Sequence, residues 1–357
     1  MSVDNIKCEK QNSEPLAIDF FSGSGSVSAA LKKAGFRVAA ALDIDPNAAV
    51  TYQLNHPEVK FFNEDIRHVN PQILLNELDG KCLELMAICA PCQPFSSQNR
   101  KRDKRDSRIP LLLEALPFIE AMRPKYIWVE NVPGLGSSKT IVSLQKRIKS
   151  LGYSFNEPAR IDAANLGVPQ RRIRFVFFAA LDVGGCEAFE TVSNLKLDGK
   201  DVRFAFNGLK NLSANDGSSA DPLHTARKHS DLTLKRLSAI PVDGGSRSSL
   251  PPELQLACHK KLSDNSFPDV YGRMRWSSPA PTLTSGCTDV TRGRFAHPEE
   301  NRAITLREAA RLQTFPDDYQ FHGNKSQIAL QIGNAVPMDM AYEMFSRIIK
   351  FNEGFVS

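Results

Sequence analysis

The segment Ile88–Gln98, ICAPCQPFSSQ, is the most informative stretch of this chain. It overlaps the end of an apolar run, Leu83–Ala90, that is typical of a buried strand. A side chain that follows such a strand projects into the crevice where open α/β sheets bind ligands. Pro91 and Pro94 restrict the backbone on both sides of Cys92, so the turn should be stiff. A stiffly presented thiol suits a nucleophile, although this segment alone is equally compatible with a buried, inert cysteine.

Short apolar runs alternate with amphipathic stretches from Leu16 to Ala180. This alternation predicts an α/β fold, in which a parallel sheet carries helices on both faces. The predicted strands are Leu16–Phe21, Val38–Leu42, Val59–Phe62, Leu83–Cys89, Tyr126–Val129, Phe155–Ile161 and Ile173–Ala179. The predicted helices are Val27–Ala34, Asn47–Leu54, Leu111–Met122 and Lys139–Leu151.

The alternation ends around Leu181. Residues 184–265 are rich in Gly, Ser, Asp and Asn, which is typical of a loop-rich recognition module. A strand at Ala280–Thr284 and a helix at Leu306–Gln313 are predicted to follow, and Met338–Phe351 repeats apolar residues at helical spacing. We therefore expect a discontinuous first domain, residues 1–182 and 326–357, with a smaller domain of residues 183–325 inserted before its last helix.

The composition excludes several classes of protein. Apolar residues make up 41% of the 357 residues, and no apolar run approaches the roughly 18 residues of a membrane span. The polar amino terminus lacks a secretory h-region, and seven irregularly spaced cysteines are typical of a reducing compartment, so we expect a cytoplasmic protein. Cys89 and Cys92 form a C-x-x-C pair, but neither a second pair nor a nearby histidine completes a metal site.

The modest net charge of +5 is unevenly distributed. Arg100–Arg108, RKRDKRDSR, holds six basic residues against two acidic ones, a local net charge of +4. Such a run is usually a solvated face or a tail. Because it begins eight residues after Cys92, we expect instead a loop that contacts phosphates and closes the site around a polyanion.

A glycine-containing loop follows the first predicted strand. In Asp19–Ser26, DFFSGSGS, the glycines allow a tight turn and close approach of the backbone to a ligand, although a plain turn would have nearly the same sequence. Asp43 ends the second strand, where a ribose would present its hydroxyls. Asp65 ends the third and could accept a hydrogen bond from an adenine amino group. Asp45 is better explained as a helix N-cap, a role also open to Asp65.

Four motifs together indicate a family. The segments PCQPFS from Pro91, ENV from Glu130, QRRIR from Gln170 and GNAV from Gly333 occur in the order found in the 5-methylcytosine DNA methyltransferases, which this chain resembles. The resemblance spans Leu16 to about Ala180 and resumes from about Arg273 to Met344. It implies an S-adenosylmethionine-dependent, Rossmann-like methyltransferase sheet with an inserted target-recognition domain. The implied substrate is double-stranded DNA.

The resemblance also implies binding residues. Those implied for the cofactor are Phe21, Ser22, Gly23, Gly25, Asp43, Ile44, Asp65, Ile66, Pro91, Leu111, Asn334 and Val336. In this assignment Phe21 packs on the adenine, Asp43 holds the ribose and Asp65 reads the adenine. Ile44 departs from the family, because relatives often place an aromatic residue there to stack on the base. Those implied for DNA contact are Ser96, Arg108 and Thr282.

Cytosine C5 becomes nucleophilic only after a thiolate adds to C6, and the resemblance implies that Cys92 makes this addition. Glu130 is implied as the acid at N3 and the exocyclic amine. Arg172 and Arg174 alternate at strand period and should share one face, leaving Ile173 on the other. We expect one arginine to pair with Glu130 while Arg174 donates to the cytosine O2. The base must leave the duplex for this chemistry.

Two other functions stay open. One branch of the family methylates transfer RNA, but its Cys-Phe-Thr motif is absent here, where Gly286–Thr288 reads GCT. A DNA-binding protein without catalysis is the second alternative, against which the intact catalytic motifs argue. We expect the protein to be a monomer. A cognate restriction endonuclease that acts on the same site is a possible partner. The sequence does not reveal the target, although its readers should lie between about Val202 and Arg294.

Overall fold

The computed structural model describes residues 14–91, 109–181, 186, 195–215, 217, 220–256, 258 and 267–354. The chain divides into two compact units. The first contains the residues up to Ile161, Ile173–Leu195 and those from Ala341 onward, and the second contains Asp162–Arg172 and Lys196–Met340. The boundaries predicted at 182 and 325 differ from this division, because they place residues 162–172 and 326–340 in the first domain and not in the second. The assignment of functions to the two domains stays a prediction.

An eight-stranded sheet forms the centre of the first unit. Its strands are β1 Leu16–Phe20, β2 Arg37–Leu42, β3 Lys60–Phe62, β4 Leu83–Ile88, β5 Tyr126–Asn131, β6 Ser154–Phe155, β7 Ala159–Asp162 and β8 Ile173–Ala180. The order across the sheet is β3-β2-β1-β4-β5-β8-β6, with β7 paired to β8. Strands β1 to β5 run parallel, whereas β8 is antiparallel to β5 and to β6. The predicted α/β fold is confirmed.

Two details of the predicted sheet are wrong. The sheet is not wholly parallel, because β8 runs against β5. A buried central strand has the same continuous apolar pattern in either direction, so the sequence carries no signal for this reversal. The single strand predicted at Phe155–Ile161 is two short strands, β6 and β7, separated at Asn156–Pro158.

Helices occupy the connections. The first unit contains α1 Ser26–Lys33, α2 Pro46–Asn55, α3 Pro71–Asn76, α4 Leu116–Met122 and α5 Lys139–Ser150. The second contains α6 Val202–Phe206, α7 Asp231–Ala239, α8 Leu306–Leu312 and α9 Lys325–Asn334, and α10 Met338–Asn352 begins there and continues in the first. Within the described ranges, none of the helices combines the length and the hydropathy that crossing a membrane requires.

Two predicted elements outside the sheet also differ. The helix predicted at Leu111–Met122 is a 3₁₀ helix, Ile109–Ala115, followed by α4. Pro117 has no N–H to donate to the carbonyl four residues earlier, so a continuous α-helix cannot form across it. The strand predicted at Ala280–Thr284 is wrong: only an isolated bridge joins Ala280 to Gln170.

Strand β5 shows how helices cover both faces of the sheet. Ile127 and Val129 belong to an apolar cluster that also contains Phe118 of α4. Between them, Trp128 points to the opposite face, where its ring lies 5.0 Å from that of Phe345 on α10. Trp128 also donates from Nε1 to the sulfur of Met344 at 3.3 Å. The last helix therefore packs on this face of the sheet.

One apolar cluster of the second unit lies around Leu237, Tyr271 and Ala296. Buried arginines supplement this cluster. Arg302 makes a bidentate pair with Glu308, at 2.7 and 2.8 Å, and both side chains are about 1% exposed. Because charged groups are costly to bury alone, these paired bonds compensate for the burial of both charges.

We predict that Phe345→Ala unfolds the protein more readily, because it leaves a cavity between α10, Trp128 and Phe36. Deleting a fully buried aromatic ring costs about 3–5 kcal/mol of unfolding free energy. Lys350→Ala, on the exposed side of the same helix, should change it by less than about 0.5 kcal/mol. Urea denaturation of the two variants measures both effects, and equal losses would contradict the docking of this helix.

Candidate active site

The strand order creates a crevice between β1 and β4. From β1 the chain moves to β2 and β3 on one side, whereas from β4 it moves to β5 on the other. Ligands of open α/β sheets bind where the order reverses in this way, at the carboxyl ends of the strands. The segments that end there are Phe21–Gly25 after β1, Asp43 after β2, Cys89–Pro91 after β4 and Glu130–Asn131 of β5.

The loop after β1 has a left-handed backbone. Phe21, Gly23 and Gly25 have φ values of 59°, 52° and 91°. A Cβ at Gly23 would meet nothing within 4 Å, so the loop borders open space. Next to it, the hydroxyl of Ser22 is buried and makes no hydrogen bond within the part of the chain that the structure describes. The loop therefore has room for a ligand and a buried polar group that faces no protein partner.

Asp43 holds this loop in place. Its carboxylate accepts hydrogen bonds from the N–H groups of Gly23 and Asp45, both at 2.8 Å. Burial raises the pKa of Asp43, while these two hydrogen bonds oppose the shift. Asp45 instead accepts from the N–H groups of Asn47 and Ala48 at the start of α2, which confirms it as a helix cap.

Asp65 is engaged by a neighbour. Its oxygens accept from Nε of Arg67 at 2.9 Å and from Nη2 of the same side chain. It also caps the 3₁₀ helix Ile66–His68. The hydrogen bonds from Arg67 lower the pKa of Asp65 to about 2. Ile44 is 63% exposed and Ile66 is buried. Adenine recognition by Asp65 stays a prediction, and a ligand there competes with Arg67 for the carboxylate.

Glu130 and Arg174 form a buried ion pair. Nε of Arg174 lies 2.9 Å from Oε1 of Glu130, and the side chains are 11% and 9% exposed. We expected Arg172 to take this place, but its guanidinium donates to the carbonyls of Leu283 and Gly333. The register explains the difference: Glu130 is opposite Val176, so Arg174 is its diagonal neighbour on the same face, and Arg172 lies two residues beyond.

Ile173 is 45% exposed between the two buried arginines, as the strand period predicted. Arg174, and not Arg172, is thus the arginine that pairs with Glu130. Arg174 places a fixed positive charge beside the carboxylate of Glu130, whereas Arg172 serves backbone carbonyls in the second unit.

Sequence reasoning missed Asn131. Its side chain is 2% exposed, donates to the carbonyl of Ala90 at 2.8 Å and accepts from the N–H of Val132 at 2.9 Å. The bond ties the end of β5 to the segment that leads into Cys92. The signal was present, because Asn131 directly follows Glu130, but the spacing of polar residues does not reveal which carbonyl a side chain meets.

Two further groups in the crevice were also missed. Asp19 is fully buried, and its Oδ2 accepts from the hydroxyl of Ser28 at 2.7 Å. Burial raises the pKa of Asp19 to about 7. An acid within the apolar strand LAIDF was the available signal. Burial first, and then the charges of Glu130 and Asp19, raise the pKa of the Cys89 thiol. Cys89 is thus kept as a thiol and is a poor nucleophile.

The remaining predicted residues are spread over both units. Pro91 and Leu111 are half-buried in the first. In the second, Thr282 donates to the carbonyl of Arg171 at 2.7 Å, Asn334 ends α9, and Val336 is buried. Cys92, Ser96, Arg108 and the basic run 100–108 lie outside the described residues. No cluster of metal-ligating side chains occurs among the residues that the structure describes.

Comparison with known proteins agrees with this geometry. Residues 16–350 match the family described as C-5 cytosine-specific DNA methylase. The Type II methylase M.HgiDII of Herpetosiphon aurantiacus is 34% identical over 344 residues, covering 94% of this chain and 96% of the relative. The Type II methyltransferase M1.HphI of Haemophilus parahaemolyticus is 31% identical, covering 94% and 87%.

Solved structures share the fold. A putative DNA modification methyltransferase encoded within an E. coli prophage superposes with a TM-score of 0.73 at 23% identity, covering 95% of this chain and 99% of that one. The Dnmt2 methyltransferase of S. pombe gives 0.64 at 18% identity, covering 94% and 97%. Fold and site thus define a methyltransferase of the α/β class. The chain belongs to the C-5 cytosine-specific DNA methylase family, whose enzymes are DNA cytosine-5 methyltransferases.

The raised pKa of Asp19 predicts a pH dependence of stability. In the unfolded chain this carboxyl titrates at about 4, and in the folded protein at about 7. Between these values the folded protein binds more protons, so the contribution of this group to the free energy of unfolding falls as pH rises. Asp19→Asn removes that dependence. Relative to the wild type, the free energy of unfolding of the variant should rise by a few kcal/mol between about pH 4 and pH 7.

Urea denaturation of both proteins at intervals across this range measures the difference directly. Above about pH 7 the two curves should run parallel, because the carboxyl is then ionised in both states. A difference that stays constant from pH 4 to pH 7 would show that Asp19 is not a proton-binding group of the folded state.

Proposed function

We propose that this protein transfers a methyl group from S-adenosylmethionine to C5 of a cytosine in a specific double-stranded DNA sequence. In this proposal, Cys92 adds to C6 of a cytosine that has been flipped out of the duplex, C5 takes the methyl group, and loss of the C5 proton then releases the Cys92 thiolate by elimination. The main support is the buried Glu130–Arg174 pair at the carboxyl end of β5, beside the strand that leads into Cys92. The match to the DNA methylase family over residues 16–350 supports the choice of DNA.

The crevice suits a nucleoside cofactor that has no pyrophosphate. Gly23 borders open space, and the buried hydroxyl of Ser22 has no hydrogen-bond partner within the described ranges. Asp43 supplies a carboxylate whose oxygens each retain a lone pair for a ribose hydroxyl. S-adenosylmethionine, when bound, supplies a methyl group activated by its sulfonium. Phe21 and Ile44 would flank its adenine.

The residues around the base each perform a separate task. Cys92 supplies the thiolate, whereas Cys89 stays protonated because its pKa is raised. Asn131 anchors the carbonyl of Ala90, two residues before Cys92 in the sequence. Glu130 would contact N3 and the exocyclic amine of the cytosine, where negative charge develops as the thiolate adds to the ring. Arg174 orients Glu130 through its Nε.

DNA binding completes the proposal. The basic run 100–108 would contact phosphates around the flipped nucleotide, together with Ser96, Arg108 and Thr282. The second unit would read the base sequence. Because the relatives M.HgiDII and M1.HphI are named Type II enzymes, a restriction endonuclease with the same target is the expected partner. Bisulfite sequencing of DNA from cells that express the protein tests the reaction and identifies the target, and an absence of 5-methylcytosine would overturn it.

Cys92→Ala should abolish methyl transfer while leaving affinity for S-adenosylmethionine within a few-fold, because the thiol attacks the base and not the cofactor. Cys92→Ser should be nearly inactive, since a hydroxyl is far less ionised than a thiol. Cys258→Ala, which removes an exposed free thiol, is the matched control and should keep full activity. Transfer of labelled methyl groups to DNA measures the activity of all three variants. Turnover near the wild-type rate by either Cys92 variant would show that Cys92 is not the nucleophile.

Asp43→Ala should weaken binding of S-adenosylmethionine by about 1–3 kcal/mol, because it leaves polar ligand groups without partners. Asp45→Ala should lower the free energy of unfolding by about 0.5–2 kcal/mol through loss of the helix cap, with a smaller effect on affinity. Isothermal titration calorimetry and urea denaturation separate the two effects. A larger loss of affinity in Asp45→Ala than in Asp43→Ala would show that the ribose does not bind to Asp43.

A further inference from the structure

Arg172 connects two distant segments of the second unit. Its side chain is 3% exposed. Nη1 donates to the carbonyl of Leu283 at 3.0 Å, and Nη2 donates to the carbonyl of Gly333 at 3.1 Å. A single planar guanidinium therefore fixes the separation of two backbone stretches that are 50 residues apart in sequence.

The same two stretches touch directly. A Cβ at Gly333 would lie 2.4 Å from the carbonyl carbon of Thr284 and 2.6 Å from the nitrogen of Ser285. Only a glycine allows this approach, because any side chain would collide with backbone that cannot move aside. The contact and the Arg172 bridge act on the same pair of segments, so neither segment can shift alone.

Two buried glutamines extend the connection. Oε1 of Gln170 accepts from the N–H of Leu283 at 2.8 Å, and its Nε2 donates to Oε1 of Gln313 at 3.0 Å. Gln313 in turn donates to the carbonyl of Ile332 at 2.7 Å. Both glutamine side chains are fully buried. Buried polar groups are costly to leave without partners, so this network moves as one body or loses several bonds together.

The family resemblance assigns different ligands to residues next to these two segments. Leu283 follows Thr282, which is assigned to a DNA phosphate, and Gly333 precedes Asn334, which is assigned to the cofactor pocket. We propose that Arg172 is a positioning residue that couples DNA binding to cofactor binding by holding these two segments in one register. This inference rests on the proposed function and assigns Arg172 a role away from the reacting atoms. By thermodynamic linkage, each ligand should then tighten the other by the same factor.

Arg172→Lys tests this coupling. A lysine ammonium is a single point donor and lacks the planar fork that reaches both carbonyls. The Kd of a duplex containing the target is measured by fluorescence anisotropy, with and without S-adenosylhomocysteine. In the wild type the cofactor product should tighten DNA binding by about fivefold or more. In Arg172→Lys the ratio should fall to within about twofold of one.

Arg273→Lys is the matched control. Arg273 is also buried in the second unit and donates to the backbone carbonyls of Ile240, Leu237 and His297, but to neither of the two coupled segments. It should lose thermal stability to a similar extent and keep the wild-type ratio. A ratio in Arg172→Lys equal to that of the wild type would overturn the inference, and so would equal losses of coupling in the two variants.

Hydrogen exchange on the wild-type protein supplies a test that does not depend on folding of a variant. S-adenosylhomocysteine alone should slow exchange at the amide of Leu283, and target DNA alone should slow it at the amide of Ala335. If each ligand protects only its own segment, or if the wild-type ratio is one, Arg172 does not couple the sites. A wild type that neither binds S-adenosylhomocysteine nor methylates DNA would instead refute the proposed function.

Discussion

The adjacency of β1 and β4 is the constraint on which the site depends. Because the chain leaves these two neighbouring strands in opposite directions, a ligand-binding crevice is expected at their carboxyl ends. The glycine loop after β1, the acid after β2 and the Ala90–Pro91 segment after β4 all end at that edge. Asp43 then holds the loop through the N–H of Gly23, so two consecutive strand ends are joined by a single carboxylate.

The antiparallel insertion of β8 next to β5 adds the second requirement. Its register places Arg174 diagonal to Glu130 on the same face, where the two form a pair that is largely shielded from solvent. A carboxylate in this position would be costly to ionise without a cation nearby. The crevice thus contains an acid with a fixed partner, Glu130, and a fully buried acid, Asp19, whose pKa is raised by burial to about 7.

Arginines do different work in the two units. In the first, Arg174 serves a side-chain carboxylate at the site. In the second, Arg172 and Arg273 donate to backbone carbonyls. These buried guanidinium groups satisfy loop carbonyls of the second unit that would be costly to bury without a hydrogen-bond partner. This explains why a motif arginine close to Arg174 in sequence has a different function in the structure.

The sequence by itself determined the α/β class, the position of most strands, the cap at Asp45 and the family, because these depend on local periodicity, on single turns and on motifs of contiguous residues. It did not determine the direction of β8 or the partner of Glu130. Strand direction leaves no trace in an apolar run, and which of two arginines meets a carboxylate depends on the register between β5 and β8, which are far apart in the sequence. Only the tertiary structure decided those contacts, including the carbonyls that Asn131 and Arg172 reach, because hydrogen bonds between distant segments are set by how the segments pack.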